Sequence, residues 1–164
     1  MPMLRRLTNG EMELAAEAFG GGLDAARVRL LAIPYWSRAF VASGRLMVWP
    51  ARSMRPDFSA PDVPLSVKAV FVHELTHVWQ AQNGVSLLLG KLRAGDGPAS
   101  YAYDLAGGAA FADLNIEQQA MVVQHAFLLR HGGQAPFPPE AYAAALPAGL
   151  FASCTVRNDP LAGA

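Results

Sequence analysis

PLSVKAVFVHELTHVWQAQNG, residues 64–84, carries the longest helical pattern in the chain: Pro64 suits a first helical turn and Asn83-Gly84 suits the stop. Inside it, His73-Glu74-Leu75-Thr76-His77 forms an HExxH motif. Residues four apart on an α-helix lie about 40° apart in azimuth and roughly 6 Å apart along the axis, so both imidazoles can reach one tetrahedral ion. Glu74 sits about 100° round from His73, beside such an ion and not on it, where its carboxylate can take a proton from water. The neighbours Val70, Phe71, Val72, Leu75, Thr76, Val78 and Trp79 are uncharged. A buried helix needs this when its only ionisable groups serve a metal, whereas two surface histidines would tolerate Lys or Glu nearby.

A catalytic zinc ion takes a third protein ligand and keeps one position open. The metzincin continuation, with Gly at position 80 and His at position 83, is excluded because those residues are Gln80 and Asn83. Among the downstream acids, Glu117 is the favoured ligand and Asp104 the runner-up. Glu117 begins a second helical stretch, Asn115-Ile116-Glu117-Gln118-Gln119-Ala120, forty residues after His77. A rigid helix can hold a carboxylate against two imidazoles, although a helix dipole alone would also favour an acid in the first turn. Amide hydrolysis further needs a donor for the developing oxyanion. Tyr103 and Tyr101, in the Gly-rich loop before that helix, are candidates, with His125, two turns beyond Glu117, as a third.

Outward from these helices, Thr8 and Glu11 form a capping-box pattern opening a short helix that stops at Gly20-Gly21-Gly22. Arg27 to Ile33 reads as a strand, and Phe40-Val41 and Leu46 to Trp49 as a hairpin about Ser43-Gly44. Residues 50–64 read as a proline-rich connector, Val85 to Arg93 as a short helix, Asn115 to about Arg130 as a capped helix, and Pro138-Pro139-Glu140 as the start of a last short Ala-rich helix. The expected fold class is α+β, mainly helical with a small N-terminal sheet. The active-site helix pairs with the ligand-bearing helix. All of residues 1–164 form one domain, with 147–164 expected as a loose tail.

The chain has 164 residues, 52% of them apolar and only 16% charged, with 13 Lys+Arg against 13 Asp+Glu. That balance gives no electrostatic reason to bind nucleic acid or a membrane over a broad face, and it raises the prospect of self-association. The charges are uneven along the chain, with eight Arg against five acids in residues 1–60 and two Arg against six acids in residues 94–164. Cys154 is alone, so no intrachain disulfide forms. The N-terminus lacks a signal-peptide pattern and no run suits a membrane span, so the expected location is cytoplasmic, with non-classical export possible. The charge-free segment Ala141 to Val156 is expected to pack as a lid or an association surface.

The strings HELTHVWQAQNG, YAYDL and NIEQQA resemble the gluzincin zinc metallopeptidases, in which HExxH on one helix is completed by Glu from a later one. From Glu13 to Gly132 the chain is also similar to small bacterial HExxH proteins found with contractile injection systems, including Vgr-related proteins. The resemblance implies a zincin-like fold, zinc on His73, His77 and Glu117, with Glu74 as general base, and hydrolysis of a peptide or protein substrate. The Asp that gluzincins often place four residues after the ligand Glu is Met121 here. Support must then come from elsewhere, Asp113 or Asp104 being candidates. The alternative is a structural or non-catalytic zinc module in a secretion, injection-system or toxin assembly.

Overall fold

The computed structural model describes residues 3–95 and 97–152; Cys154 and the end of the expected tail lie outside the described residues. The architecture is mixed α+β. Strand β1 (Met3–Arg6) leads to helix α1 (Asn9–Phe19), then strands β2 (Arg29–Ile33), β3 (Phe40–Ser43) and β4 (Leu46–Pro50). Helices α2 (Leu65–Gln82), α3 (Leu87–Ala94), α4 (Ile116–Arg130) and α5 (Pro139–Ala145) follow. The sheet order is β1-β2-β4-β3. β1 pairs antiparallel with β2, β2 parallel with β4, and β4 antiparallel with β3, which leaves β3 at an edge.

β1 is a strand that the sequence pattern does not announce, and its partner across space explains it. The Arg5 guanidinium grips both carboxylate oxygens of Glu11, at 2.7 and 2.6 Å. Glu11 is fully buried and also accepts from the backbone N–H groups of Thr8 and Phe58, both at 2.9 Å. One carboxylate thus completes the α1 capping box and ties β1 and the 50s loop to it.

α2 is the central element, with Ala69, Phe71, Val72, Leu75 and Val78 fully buried. Phe71 stacks on Phe58 at 4.7 Å, and Phe58 meets Trp49 of β4 at 4.4 Å, so the sheet side of α2 is aromatic. α4 covers α2 with Ala120, Val122, Val123, Ala126 and Phe127, all buried. The start of α4 is fixed by Asn115, whose side chain accepts from the N–H groups of Glu117 and Gln118, while Gln118 Oε1 accepts from Asn115 N–H. α3 lies close against α4 because Gly90 has no side chain: a Cβ there would stand 2.8 Å from Ile116.

The segment expected to be loose after Pro147 is packed as far as it is described. Leu150 and Phe151 are buried, Phe151 N–H donates to Ala18 O, and the Arg130 guanidinium lies 4.7 Å from the Phe151 ring centre. Through Ala152 the charge-free segment therefore closes the core against α1 and α4. It forms no lid there; Ser153 to Val156 lie outside the described residues.

Candidate metal centre

α2 carries His73 and His77 on the face turned to α4, and α4 presents Glu117 from its first turn. His73 Nε2 lies 3.4 Å and His77 Nε2 3.2 Å from Glu117 Oε2. All three side chains are buried, and one ligand atom from each falls within 4.8 Å of the others. Two imidazole nitrogens and a carboxylate oxygen are the donor set that zinc accepts, and three protein ligands leave room for a fourth position. One Glu74 oxygen, Oε2, is buried without a hydrogen-bond partner, as is His73 Nδ1. The residues fit a zinc ion.

The tautomer of His77 follows from a relay of amides. Gln119 Nε2 donates to the carbonyls of Phe111 and Leu114, at 3.0 and 3.2 Å, so Gln119 Oε1 faces Gln80. Gln80 Nε2 donates to that oxygen at 2.9 Å and to Ile116 O at 3.0 Å. Gln80 Oε1 is left to accept from His77 Nδ1–H at 2.8 Å, so Nδ1 carries a proton and Nε2 is the nitrogen turned to the site. Asp104 and Asp113 do not serve here. Asp104 accepts from Ala106 N–H within its own loop, and Asp113 lies in a short turn before α4.

Charge is tightly coupled. Burial raises Glu117, but hydrogen bonds from His73 and His77, the His77 charge and Lys91 outweigh it, holding the carboxyl well below the usual range. Burial lowers His77, yet the bond to Glu117 and the charges of Glu74 and Glu117 leave it raised. Glu74 is raised by burial against the opposing pull of His77 and His73. Lys91 Nζ stands 3.0 Å from Glu117 Oε1, on the side of that carboxylate away from the histidines' shared oxygen.

The triad lies at the floor of a cleft of about 420 Å³, walled by Trp36, Phe40, Leu87, Leu88 and Ile116, with Arg38 and Lys91 at its polar edge. A second lobe of about 500 Å³ meets it at His73 and Glu74 and runs toward Trp49, Met121 and Gln124. Tyr101 lines both lobes, with its ring centre 6.4 Å from that of His73. Tyr103 lines neither. Its hydroxyl is held by His125 Nδ1 at 2.5 Å and by the Tyr142 hydroxyl at 2.7 Å, so the structure places Tyr103 and His125 in a network beside α5. Gln80, Gln119 and Lys91 are the residues that sequence reasoning missed.

No protein-family model matches the chain. The chain is 35% identical over 136 residues to the type VI secretion system spike protein VgrG2b of Pseudomonas aeruginosa, an alignment taking in 76% of this chain and 13% of the spike protein. The chain thus spans about an eighth of that protein's length. Among solved structures, the effector domain of Pseudomonas aeruginosa VgrG2b matches with a TM-score of 0.69 and 31% identity, covering 87% of this chain and 84% of that domain. These relatives correct the gluzincin assignment and the description of the chain as a metalloprotease: they are a secretion spike and its effector domain, and His73, His77 and Glu117 stand as a site able to hold a metal. At this identity, over most of both domains and with one fold, the chain belongs to the VgrG2b effector-domain family.

Proposed function

We propose that the chain is an effector module acting with a type VI secretion apparatus, and that with zinc on His73, His77 and Glu117 it hydrolyses peptide bonds. The secretion role is supported by the relatives, one described as a spike protein and the other as an effector domain. The hydrolytic role rests on one observation: two imidazoles and a carboxylate converge at the floor of an open, two-lobed cleft, with a buried Glu74 beside them whose Oε2 has no hydrogen-bond partner. The pairing of α2 with α4 around these ligands is the zincin-like feature of this reading.

When bound, the ion supplies a Lewis acid that polarises the scissile carbonyl and makes water more acidic. Glu74 holds the attacking water with its free oxygen, takes its proton and delivers it to the leaving amine. Burial favours this service, because an elevated carboxyl accepts a proton more readily than an exposed one. Gln80 fixes His77 for ligation, and Lys91 steadies the far oxygen of Glu117. In this reading Tyr101, which lines both lobes, donates to the oxyanion. A substrate chain crosses both lobes with an apolar side chain between Trp36, Phe40 and Leu88.

A purely structural ion would sit in a closed site of four protein ligands. The cleft above three ligands favours the open, catalytic arrangement. The test is cleavage of an unfolded protein by the zinc-loaded chain, with chelator and then with zinc restored. Cleavage that chelator abolishes and zinc restores is expected. Zinc bound without cleavage would leave the non-catalytic secretion module as the better reading.

A further inference from the structure

Five large apolar side chains stand exposed in one region: Tyr35 is 106% exposed, Trp36 49%, Leu88 73%, Leu89 51% and Leu92 72%. Trp36 and Leu88 share the mouth of the cleft, which makes the Tyr35-Trp36 loop and α3 two sides of one rim. α3 is inverted relative to an ordinary surface helix. Leu87, Gly90 and Ala94 turn inward, while Leu88, Leu89 and Leu92 turn out with Arg93 beside them. Contiguous exposed apolar surface on a small domain marks an interaction site.

A second observation comes from the backbone. Tyr35 has φ 61°, in the left-handed region, where a bulky side chain is strained. The molecule holds a fully exposed aromatic in a costly conformation at the tip of this rim. Glu74 and Glu117 also line the cleft, but both are buried and Lys91 meets Glu117, so the exposed charges at the rim are basic. Arg38 and Lys91 line the cleft mouth and Arg93 flanks the leucines, and neither residues 25–56 nor residues 75–95 contain a single Asp or Glu. The occupant must therefore be apolar and anionic at once. Tyr and Trp at a tip, leucines behind them and cations at the flank form the combination that an anionic lipid surface favours.

We propose that this rim docks the chain on an anionic bilayer, with the mouth of the cleft turned toward the membrane surface. The apolar tips enter the headgroup boundary and Arg38 and Arg93 meet the lipid phosphates, while Lys91 stays on Glu117. The docking does not require the site to be catalytic. It is tested by sedimenting the 164-residue chain with phosphatidylglycerol-containing vesicles or with pure phosphatidylcholine vesicles, at low and high salt. At least about tenfold more chain should bind the anionic vesicles, with the excess falling as salt rises.

The variant carrying Tyr35→Gly and Leu92→Asp, neither of which lines the cleft, should lose about tenfold or more of that binding. Its thermal melt should show that it folds, since glycine relieves the positive φ at position 35. Equal binding to both vesicle types, or undiminished binding by the folded variant, would overturn the proposal. So would sedimentation showing that the rim is buried in a dimer that the variant dissolves, or that the chain ignores vesicles and binds only a protein partner there.

Discussion

On the proposed reading, His77 needs a proton on one ring nitrogen so that the other can bind a metal. Gln80 meets this need, and its own orientation is set by Gln119 and the carbonyl of Ile116. Replacing Gln80 by Leu keeps the bulk but leaves His77 Nδ1 without its acceptor. The variant should bind zinc about 10–100-fold more weakly, as read by competition with a chromophoric chelator. His73, Glu74 and His77 could be picked out in the sequence because the HExxH spacing lies within one helix. Gln80 could not, because its meaning depends on Gln119, 39 residues later on another helix. Tyr103 and Tyr101 were indistinguishable as letters in one loop. Only packing shows that one hydroxyl is occupied by His125 and Tyr142 while the other residue faces the cleft.

Among the elements, the capping patterns at Thr8 and Asn115 were readable because both ends of each interaction lie within three residues. β1 was not, because Met3–Arg6 has no alternation of its own and is held by a carboxylate on α1. Removing that carboxylate with Glu11→Ala leaves the Arg5 guanidinium, only 17% exposed at its side chain, without its partner. The loss should be about 3–5 kcal/mol in denaturant unfolding. The neighbouring Asp57 offers a pH test. Burial raises its carboxyl, but hydrogen bonds from Ser59 and Thr8 and the charge of Arg5 outweigh this and lower it from the ordinary value of 3.8. A lowered folded pKa gives stability that is fully present above the unfolded value and lost as pH falls through the folded one. Asp57→Asn should therefore melt below the parent at neutral pH, and the two melting curves should converge in strong acid.

For the whole molecule, the low charge content has a spatial explanation. α2 is enclosed by the sheet and α4, so much of its surface must be uncharged except at His73, Glu74 and His77. The α+β class was legible from the helical and strand periods, whereas the parallel pairing of β2 with β4 joins strands between which β3 intervenes in sequence. No local pattern specifies such a crossover. The residual apolar surface gathers on α3 and the Tyr35-Trp36 loop, beside the cleft. The central claim, that the buried triad serves hydrolysis with Glu74 as base, is tested most directly by measuring zinc content and peptide turnover together in the parent and in Glu74→Gln. The account predicts one zinc per chain in both, with turnover at least about a hundredfold lower in the variant. Equal turnover in the two zinc-loaded proteins would contradict it.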